Sequence, residues 1–177
     1  MRKLSLSELN RISVEAFKES SKTPIVIVLD NVRSLHNIGS VFRTADAFRL
    51  ESLYLCGISG TPPHKEIHKT ALGATESVNW VYCEKTTDAL RILKEKKYML
   101  YAIEQAEQSI SLENFLPDTS NKFALIFGNE LSGVDDEVMK MVDGCIEIPQ
   151  FGTKHSLNIA VSAGIVVWEI YKKIKSP

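Results

Sequence analysis

Runs of hydrophobic residues and amphipathic stretches alternate along the chain, which is typical of a mostly parallel sheet whose strands are joined by helices. Residues 24–30 (PIVIVLD) form a continuous apolar run that ends at a polar residue, and this indicates a strand buried on both faces. The pattern predicts the other strands at residues 52–57, 79–83, 98–103, 122–127 and 145–149. It predicts helices at residues 38–48, 65–72, 87–96 and 135–142. We therefore expect an α/β fold with a mostly parallel sheet flanked by helices, built as one domain over residues 1–177.

Two further helices are predicted at the ends of this pattern. The first is amphipathic and covers residues 4–18, within an N-terminal helical region of residues 1–20. The last, from about residue 156 to residue 174, is apolar nearly all round at residues 159–168 (IAVSAGIVVW), whereas a surface helix carries a single apolar stripe. Such a helix needs cover on two sides. A second copy of the chain is the simplest cover, so we expect a homodimer. The alternative is burial between its own sheet and the N-terminal helix.

Composition and charge narrow the classes of function. The chain has 177 residues, of which 44% are hydrophobic and 24% charged, the profile of a soluble globular protein. Its formal net charge of −1 attracts no polyanion, so RNA binding would need a local basic patch, which two subunits can also assemble. Cys56, Cys83 and Cys145 have no metal-ligand spacing, and we expect neither a metal site nor a disulfide. With no apolar leader and no run long enough to span a bilayer, we expect a cytoplasmic protein without membrane contact.

The first segment with the residues of a binding site is residues 30–48, directly after the first strand. In open parallel sheets, ligands bind beyond the carboxyl ends of the strands. Gly39 is expected in the first turn of the next helix, where a glycine lets a phosphate approach the free backbone N–H groups. Arg43 follows one turn later on the same helix face, and its planar fork of donors suits phosphate. The alternative is a capped helix start with a surface arginine.

The second such segment is residues 127–133 (FGNELSG), directly after the strand KFALIF. Gly128 permits close backbone approach by a ligand, Gly133 permits a tight turn, and Glu130 lies between them. The segment matches neither the phosphate loop of nucleotide hydrolases nor the dinucleotide-binding fingerprint. The alternative is an ordinary turn.

The third segment is residues 146–161 (IEIPQFGTKHSLNIAV), where a strand ends at Pro149 and the last helix begins near Ser156. Asn158 is out of place in an apolar helix unless it caps the helix end or binds something. Both explanations stay open from the sequence.

Together the three segments resemble the three motifs of the SpoU/TrmH family in the SPOUT superfamily of RNA methyltransferases. The resembling residues are NxxxxxNxGxxxRTA from Asn31 to Ala45, FGNExxG from Phe127 to Gly133, and IPxxGxxxSLN from Ile148 to Asn158. The resemblance implies transfer of a methyl group from S-adenosyl-L-methionine to a ribose 2′-hydroxyl in RNA. It also implies an obligate homodimer and a deep trefoil knot, at roughly residues 98–177, that holds the cofactor.

The resemblance assigns roles to residues that match the motifs by position. The functional polar side chains would be Asn37, Arg43, Glu130 and Asn158. The cofactor would be contacted at Ile103, Gly128, Ile148, Ser156 and Leu157. From loop placement we expect RNA contacts at Asn31, Arg33, Gly39 and Lys154, with Lys65 and Lys69 on the same side. Gln150 stands where family members often have Met, which bears on substrate or cofactor fit.

Arg43 is the residue that the resemblance links to activation of the ribose hydroxyl. A guanidinium stays protonated in proteins, so either a neighbouring phosphate assists or Arg43 acts electrostatically on the hydroxyl. Three other functions are weighed against this one. A catalytically silent RNA-binding module is disfavoured because the four functional polar residues are all present. A base-methylating SPOUT enzyme is disfavoured by the NxGxxxR segment. A flavodoxin-like nucleotide binder is disfavoured because the sequence has no phosphate-binding signature. The PQFG form of the third motif slightly favours tRNA over rRNA as substrate.

Overall fold

The structure, a computed structural model, describes residues 1–5 and 7–175. Its strands are β1 (Thr23–Asp30), β2 (Leu50–Cys56), β3 (Trp80–Cys83), β4 (Tyr98–Ile103), β5 (Ile110–Ser111), β6 (Lys122–Phe127) and β7 (Gly144–Glu147). Its α-helices are α1 (Val14–Glu19), α2 (Leu35–Ala47), α3 (Lys65–Ala71), α4 (Ala74–Ser77), α5 (Thr86–Glu95), α6 (Asp136–Met139) and α7 (Ile159–Lys175). A short 3-10 helix, Ser7–Leu9, precedes them.

The strands form one seven-stranded sheet in the order β3-β2-β1-β6-β4-β7-β5, and every recorded strand pair is parallel. The predicted parallel sheet is therefore confirmed. From β1 the chain builds outward through β2 and β3 on one side, while β6, β4 and β7 lie on the other. The order reverses between β1 and β6, and ligand sites in open parallel sheets lie beyond the strand ends at such a reversal.

Helices cover both faces of the sheet. Ile25, Ile27 and Leu29 of β1 point into the core shared with α2, α3 and α7, while Val26 and Val28 point into the core shared with α5 and α6. All five of these side chains are buried, which explains the unbroken apolar run of β1.

The N-terminal region differs from the single predicted helix over residues 4–18. Only Ser7–Leu9 and α1 are helical, because Asn10 has a left-handed backbone (φ 47°) and Ser13 starts a new helix by accepting a hydrogen bond from the Ala16 N–H. Leu6 lies outside the described residues. The two elements absent from the prediction, α4 and β5, are only four and two residues long and are too short to show a periodicity.

The last helix is covered on one side only within the chain. Ile159, Ala163, Val166, Val167 and Ile170 are buried against the sheet and α2. The opposite side carries an outer stripe of Val161, Ile165 and Trp168, which are 50%, 39% and 53% exposed. The N-terminal helix α1 packs beside α4, so it does not cover the exposed side of α7. Among the described helices, none combines the length and apolarity needed to cross a bilayer.

Candidate functional site

A cavity of about 550 Å³ opens at the carboxyl edge of the sheet, between the loops that follow β4, β6 and β7. Its size lies within the range of small-molecule sites. The five residues expected to contact a cofactor, Ile103, Gly128, Ile148, Ser156 and Leu157, all line it. Phe127, Leu131 and Ile159 add apolar wall, and polar groups come from Glu104, Gln105, Glu130, Ser132, Gln150, His155, Asn158 and Ser162.

Glu130 joins the loop after β6 to the start of α2. One carboxylate oxygen accepts hydrogen bonds from the Ser34 N–H (3.0 Å) and the Asn37 side chain (3.2 Å), and the other accepts from the Arg33 N–H (3.0 Å). These backbone donors lie at the N-terminus of α2, where unpaired N–H groups and the helix dipole favour a negative charge. Glu130 therefore fixes the position of α2 relative to the cavity.

These contacts also keep Glu130 ionised. Burial by itself raises the pKa of the Glu130 carboxyl, but hydrogen bonds from the N–H groups of Arg33, Ser34 and Glu130 itself, and from the Asn37 side chain, outweigh it. The pKa therefore lies below its ordinary value. A carboxylate held this way is poorly suited to take up a proton during a reaction.

Asn158 completes a link between all three motifs. Its Nδ2 donates to Asn37 Oδ1 (3.1 Å), and its Oδ1 accepts from the N–H groups of Ala160 (2.9 Å) and Val161 (3.4 Å) at the start of α7. The capping explanation for Asn158 therefore holds, and the same side chain also contacts Asn37 of the first motif. Asn158, Asn37 and Glu130 form one hydrogen-bonded chain beside the cavity.

Asn129 shapes the cavity loop and was missed in the sequence. Its Oδ1 accepts from the N–H groups of Leu131 (2.9 Å) and Ser132 (3.3 Å), and its Nδ2 donates to the Asn31 carbonyl (2.7 Å). A signal was present, because asparagine directly after a strand commonly closes a turn in this way. Gly133, with φ 72°, supplies the tight turn that was expected.

Gly128 lines the cavity, and the lack of a side chain there is also needed by its own loop. A Cβ at Gly128 would lie 2.1 Å from the Gly133 carbonyl carbon and 2.2 Å from the Val134 nitrogen. The close backbone approach at Gly128 is thus made by its own loop, which folds back on itself through paired hydrogen bonds between Asn129 and Gly133 (2.9 Å each).

Asp30 is a second residue that sequence reasoning passed over. It is 1% exposed at the end of β1 and accepts hydrogen bonds from Asn31 Nδ2 (2.9 Å), Thr86 Oγ1 (2.5 Å) and the Asp135 N–H (2.9 Å). It thereby holds the far end of the cavity loop and the start of α5 to the central strand. The signal was a charged residue ending an apolar run, since a buried charge needs such partners.

Two of the expected RNA contacts are placed differently by the structure. Gly39 is buried in the second turn of α2 rather than exposed in its first turn, and a Cβ there would meet the Ile67 carbonyl oxygen at 2.4 Å. Its missing side chain allows α2 and α3 to pack closely, so the expected phosphate approach at Gly39 is wrong. The Asn31 side chain bonds Asp30 and the Ile58 N–H (3.2 Å), so it holds two loops together. Arg33 and Lys154 are exposed.

Arg43 lies apart from the other motif residues. It is exposed on α2 and lines a second cleft of about 750 Å³, together with Arg11, Arg49 and the turn between α3 and α4. No residue is common to the linings of this arginine cleft and the first cavity. Within one chain the structure therefore brings Asn37, Glu130 and Asn158 together but not Arg43.

The two other basic residues expected on the RNA side, Lys65 and Lys69, lie on α3. Lys69 Nζ is paired with Glu66 Oε1 (2.7 Å), whose other oxygen contacts His36 Nε2 (2.7 Å), and Lys65 is exposed. No group of three or more His, Cys, Asp or Glu side chains suited to a metal ion occurs in the described part of the chain.

Comparison with known proteins gives consistent matches. The profile of the SpoU rRNA Methylase family matches residues 24–168. A tRNA (guanosine(18)-2′-O)-methyltransferase of Thermus thermophilus is 29% identical over 170 residues, covering 94% of this chain and 84% of the relative. The 23S rRNA (guanosine-2′-O-)-methyltransferase RlmB of Neisseria meningitidis is 30% identical over 161 residues, covering 90% of this chain and 63% of the relative.

Among known structures, an AdoMet-bound rRNA methyltransferase from Sinorhizobium meliloti superposes with a TM-score of 0.80 at 26% identity. The match covers 89% of this chain and 59% of that one. The chain thus spans about three fifths of the length of the two rRNA methyltransferases that it matches.

Proposed function

The chain belongs to the SpoU rRNA methylase family, and we propose that it transfers a methyl group from S-adenosyl-L-methionine to a ribose 2′-hydroxyl in RNA. One observation carries the proposal. Asn37, Glu130 and Asn158 come from three segments far apart in the sequence, and they meet in one hydrogen-bonded chain beside a cavity lined by all five residues expected to contact the cofactor. A catalytically silent module would have no need of that arrangement.

The residues of the cavity fit S-adenosyl-methionine. Ile103, Ile148 and Leu157 supply apolar wall for a flat adenine ring, and serine, amide and carboxylate groups line the same space for its polar atoms. The Glu104 and Glu130 carboxylates add negative charge, which favours a sulfonium cation. These residues would hold the cofactor in this cavity.

The bound cofactor supplies an activated methyl group, so the protein has to align the ribose hydroxyl with it and ease the loss of the hydroxyl proton. Glu130 holds the start of α2 against the cavity, and Asn158 orients the Asn37 amide. A permanently charged guanidinium cannot remove the proton by itself. Arg43 therefore stabilises the developing oxyanion or holds a neighbouring phosphate that accepts the proton.

We further propose that Arg43 acts on the partner's cavity in a homodimer. Three features support this step: Arg43 lines a separate cleft within its own chain, the outer stripe of α7 is apolar and exposed, and both α7 and α2 belong to the same face of the sheet. A dimer built on that face can bring the arginine cleft of one chain towards the cavity of the other.

Two inactive variants test the placement of Arg43. Arg43→Ala should abolish methyl transfer while S-adenosyl-methionine still binds, as measured by calorimetry, because Arg43 does not line the cavity. Leu157→Trp should block the cavity instead. Co-expressed together they should recover roughly a quarter of wild-type activity, since half of the dimers are mixed and each has one intact site. Activity no higher than that of either variant alone would assign Arg43 to its own chain or remove it from catalysis.

We also propose that the C-terminal part forms a trefoil knot. Two contacts support this proposal. The end of α7 reaches the segment between β4 and β6, where Lys173 Nζ donates to the carbonyls of Leu112, Glu113 and Phe115. The loop after β7 is bound to the loop after β4, because Gln105 Nε2 donates to the His155 carbonyl (2.7 Å). We expect a cytoplasmic enzyme. We also expect tRNA to be favoured over rRNA as substrate, because the third motif has the PQFG form.

The reaction can be tested with labelled cofactor. The purified protein is incubated with S-adenosyl-methionine carrying a tritiated methyl group and with tRNA or rRNA in separate reactions, and the RNA is then hydrolysed in alkali. Alkaline cleavage needs a free 2′-hydroxyl, so a 2′-O-methyl label should be recovered in alkali-resistant dinucleotides. Label in mononucleotides would show base methylation, and no label in either RNA would contradict the proposal.

A further inference from the structure

Two large apolar side chains stand in solvent on loops that line the cavity. Phe151 is 97% exposed and directly follows Gln150, which lines the cavity, and Leu131 is 84% exposed on the loop after β6 and lines the cavity itself. Single exposed apolar residues are common on proteins, but a fully exposed phenylalanine beside a ligand cavity is an unused contact surface.

The loop that carries Phe151 is held in place at its far end. Its His155 carbonyl accepts a hydrogen bond from Gln105 Nε2 (2.7 Å), and Asn158 caps the following helix. Phe151 is thus displayed by a loop anchored beside the cavity. The same loop carries the exposed Lys154, and Arg33 is exposed at the neighbouring start of α2.

An aromatic face combined with nearby cations is the usual way in which proteins hold unpaired nucleotides, because bases stack on the ring while the cations contact phosphates. A ribose hydroxyl can reach the cavity only if its nucleotide leaves the regular stack, and the base then loses its neighbours. Phe151 and Leu131 can replace them, because they are far more exposed than Leu157, the 37% exposed leucine that also lines the cavity.

We propose that Phe151, supported by Leu131, forms a stacking platform for the nucleobase of the nucleotide to be methylated. This inference rests on the proposed function and adds to it a base-binding subsite. It makes recognition of the base depend on the ring at position 151, whereas cofactor binding depends on the cavity walls.

Phe151→Ala should raise the KM for RNA about 5- to 100-fold, the range for loss of one stacked base, and leave cofactor affinity unchanged. Phe151→Trp should restore the KM, because any aromatic ring offers a face. Leu131→Ala should raise it less. Leu116→Ala is the matched control, since Leu116 is also 84% exposed but does not line the cavity, and it should have no effect. An unchanged KM in Phe151→Ala would overturn the proposal.

A binding measurement separates this proposal from the reaction itself. The fluorescence that Phe151→Trp adds to that of Trp80 and Trp168 in the wild type should be quenched by single-stranded oligoribonucleotides and far less by abasic oligomers of the same length and charge. Equal quenching by both would overturn base stacking even if methyl transfer is normal. Base-dependent quenching would support it even if no RNA is methylated. Loss of dimers in Phe151→Ala, measured by light scattering, would instead assign the ring to a contact between copies of the chain.

Discussion

Glu130 accepts three hydrogen bonds, two from backbone N–H groups of the loop between β1 and α2 and one from the Asn37 side chain on α2. Its oxygens are therefore engaged in holding the site together, and its lowered pKa keeps them ionised. Asn158 and Asn129 resemble it in binding backbone groups: Asn158 caps the start of α7, and Asn129 donates to the Asn31 carbonyl of the neighbouring loop. At the level of single residues, the motif side chains on the cavity side mainly position loops, and we therefore propose Arg43 as the group that acts on the ribose hydroxyl.

Glu130→Gln should lower both stability and activity at neutral pH, because its amide NH₂ would face the N–H donor of Arg33 or of Ser34. The expected loss is about 1 kcal/mol, since the side chain is partly solvated. A depressed carboxyl pKa contributes stability above the ordinary value of 4.5 and loses it as the pH falls through the folded-state pKa.

The difference in unfolding free energy between Glu130→Gln and wild type should therefore be constant near pH 7 and shrink below about pH 4.5. Denaturant titrations at pH 7 and pH 3 measure it. Glu137→Gln is the control, because Glu137 only pairs with Lys140 on the surface of α6. A difference that is the same at both pH values would contradict the assigned role.

The sequence identified the residues of the site more reliably than the structural purpose of each residue. The motif resemblance selected Asn37, Glu130 and Asn158, which meet in the structure, but the purpose given for Gly39 was wrong, because Gly39 packs against the backbone of α3, a contact that lies outside its own segment. Asp30 and Asn129 were missed for the same reason. Their partners, such as Asp135 and Asn31, are about a hundred residues away and come close only in the fold.

Among the secondary-structure elements, α3 and all strands except β5 were predicted closely, whereas α1 and α6 are shorter than predicted and α4 was missed. The ranges of β4 and β6 match the predicted ranges, because buried strands leave unbroken apolar runs between polar residues. The predicted N-terminal helix breaks at Asn10, where a left-handed residue overrides the apolar periodicity. The last helix begins at Ile159 rather than near residue 156, since residues 156–158 belong to the cavity loop and its cap.

The C-terminal turn of α7 is attached to the chain between β5 and β6 through a single ammonium. Lys173 Nζ donates to the carbonyls of Leu112 (2.9 Å), Glu113 (3.0 Å) and Phe115 (2.8 Å), and its side chain is 16% exposed. Lys173→Ala should cost about 1–3 kcal/mol of unfolding free energy, because three carbonyls lose a charged donor. Lys172→Ala is the control, as Lys172 is 50% exposed and pairs only with Glu169. Equal losses in both variants would show that the attachment does not matter.

At the scale of the whole molecule, the exposed outer stripe of α7 is the clearest unexplained surface. The sequence indicated that the helix needs cover on two sides, and the chain provides one. Trp168 continues the stripe into an aromatic cluster with Phe48 and Tyr171, whose ring centroids lie 5.9 Å and 6.4 Å from it. A second copy of the chain is the cover that we propose, and the proposed action of Arg43 on a partner's cavity depends on the same dimer.

Ile165→Glu should therefore convert dimers to monomers, because a charge at a buried apolar interface costs several kcal/mol. The matched control is Ile92→Glu on α5, since Ile92 is 38% exposed and Ile165 is 39% exposed. Val166 is unsuitable for this test because it is buried in the core of its own chain. Light scattering at micromolar concentration measures the mass. A monomeric wild type, or an Ile165→Glu variant that stays dimeric, would contradict the interface.

The central claim is methylation of a ribose 2′-hydroxyl, and nucleoside mass spectrometry of tRNA and rRNA tests it most directly. RNA is taken from cells that have the gene and from cells that lack it. It is also taken from cells that lack the gene but carry either the wild-type chain or Arg43→Ala on a plasmid. We expect one 2′-O-methylated nucleoside to disappear without the gene, to return with the wild-type chain and to stay absent with Arg43→Ala. Loss of a base-methylated nucleoside instead, or full return with Arg43→Ala, would contradict this expectation.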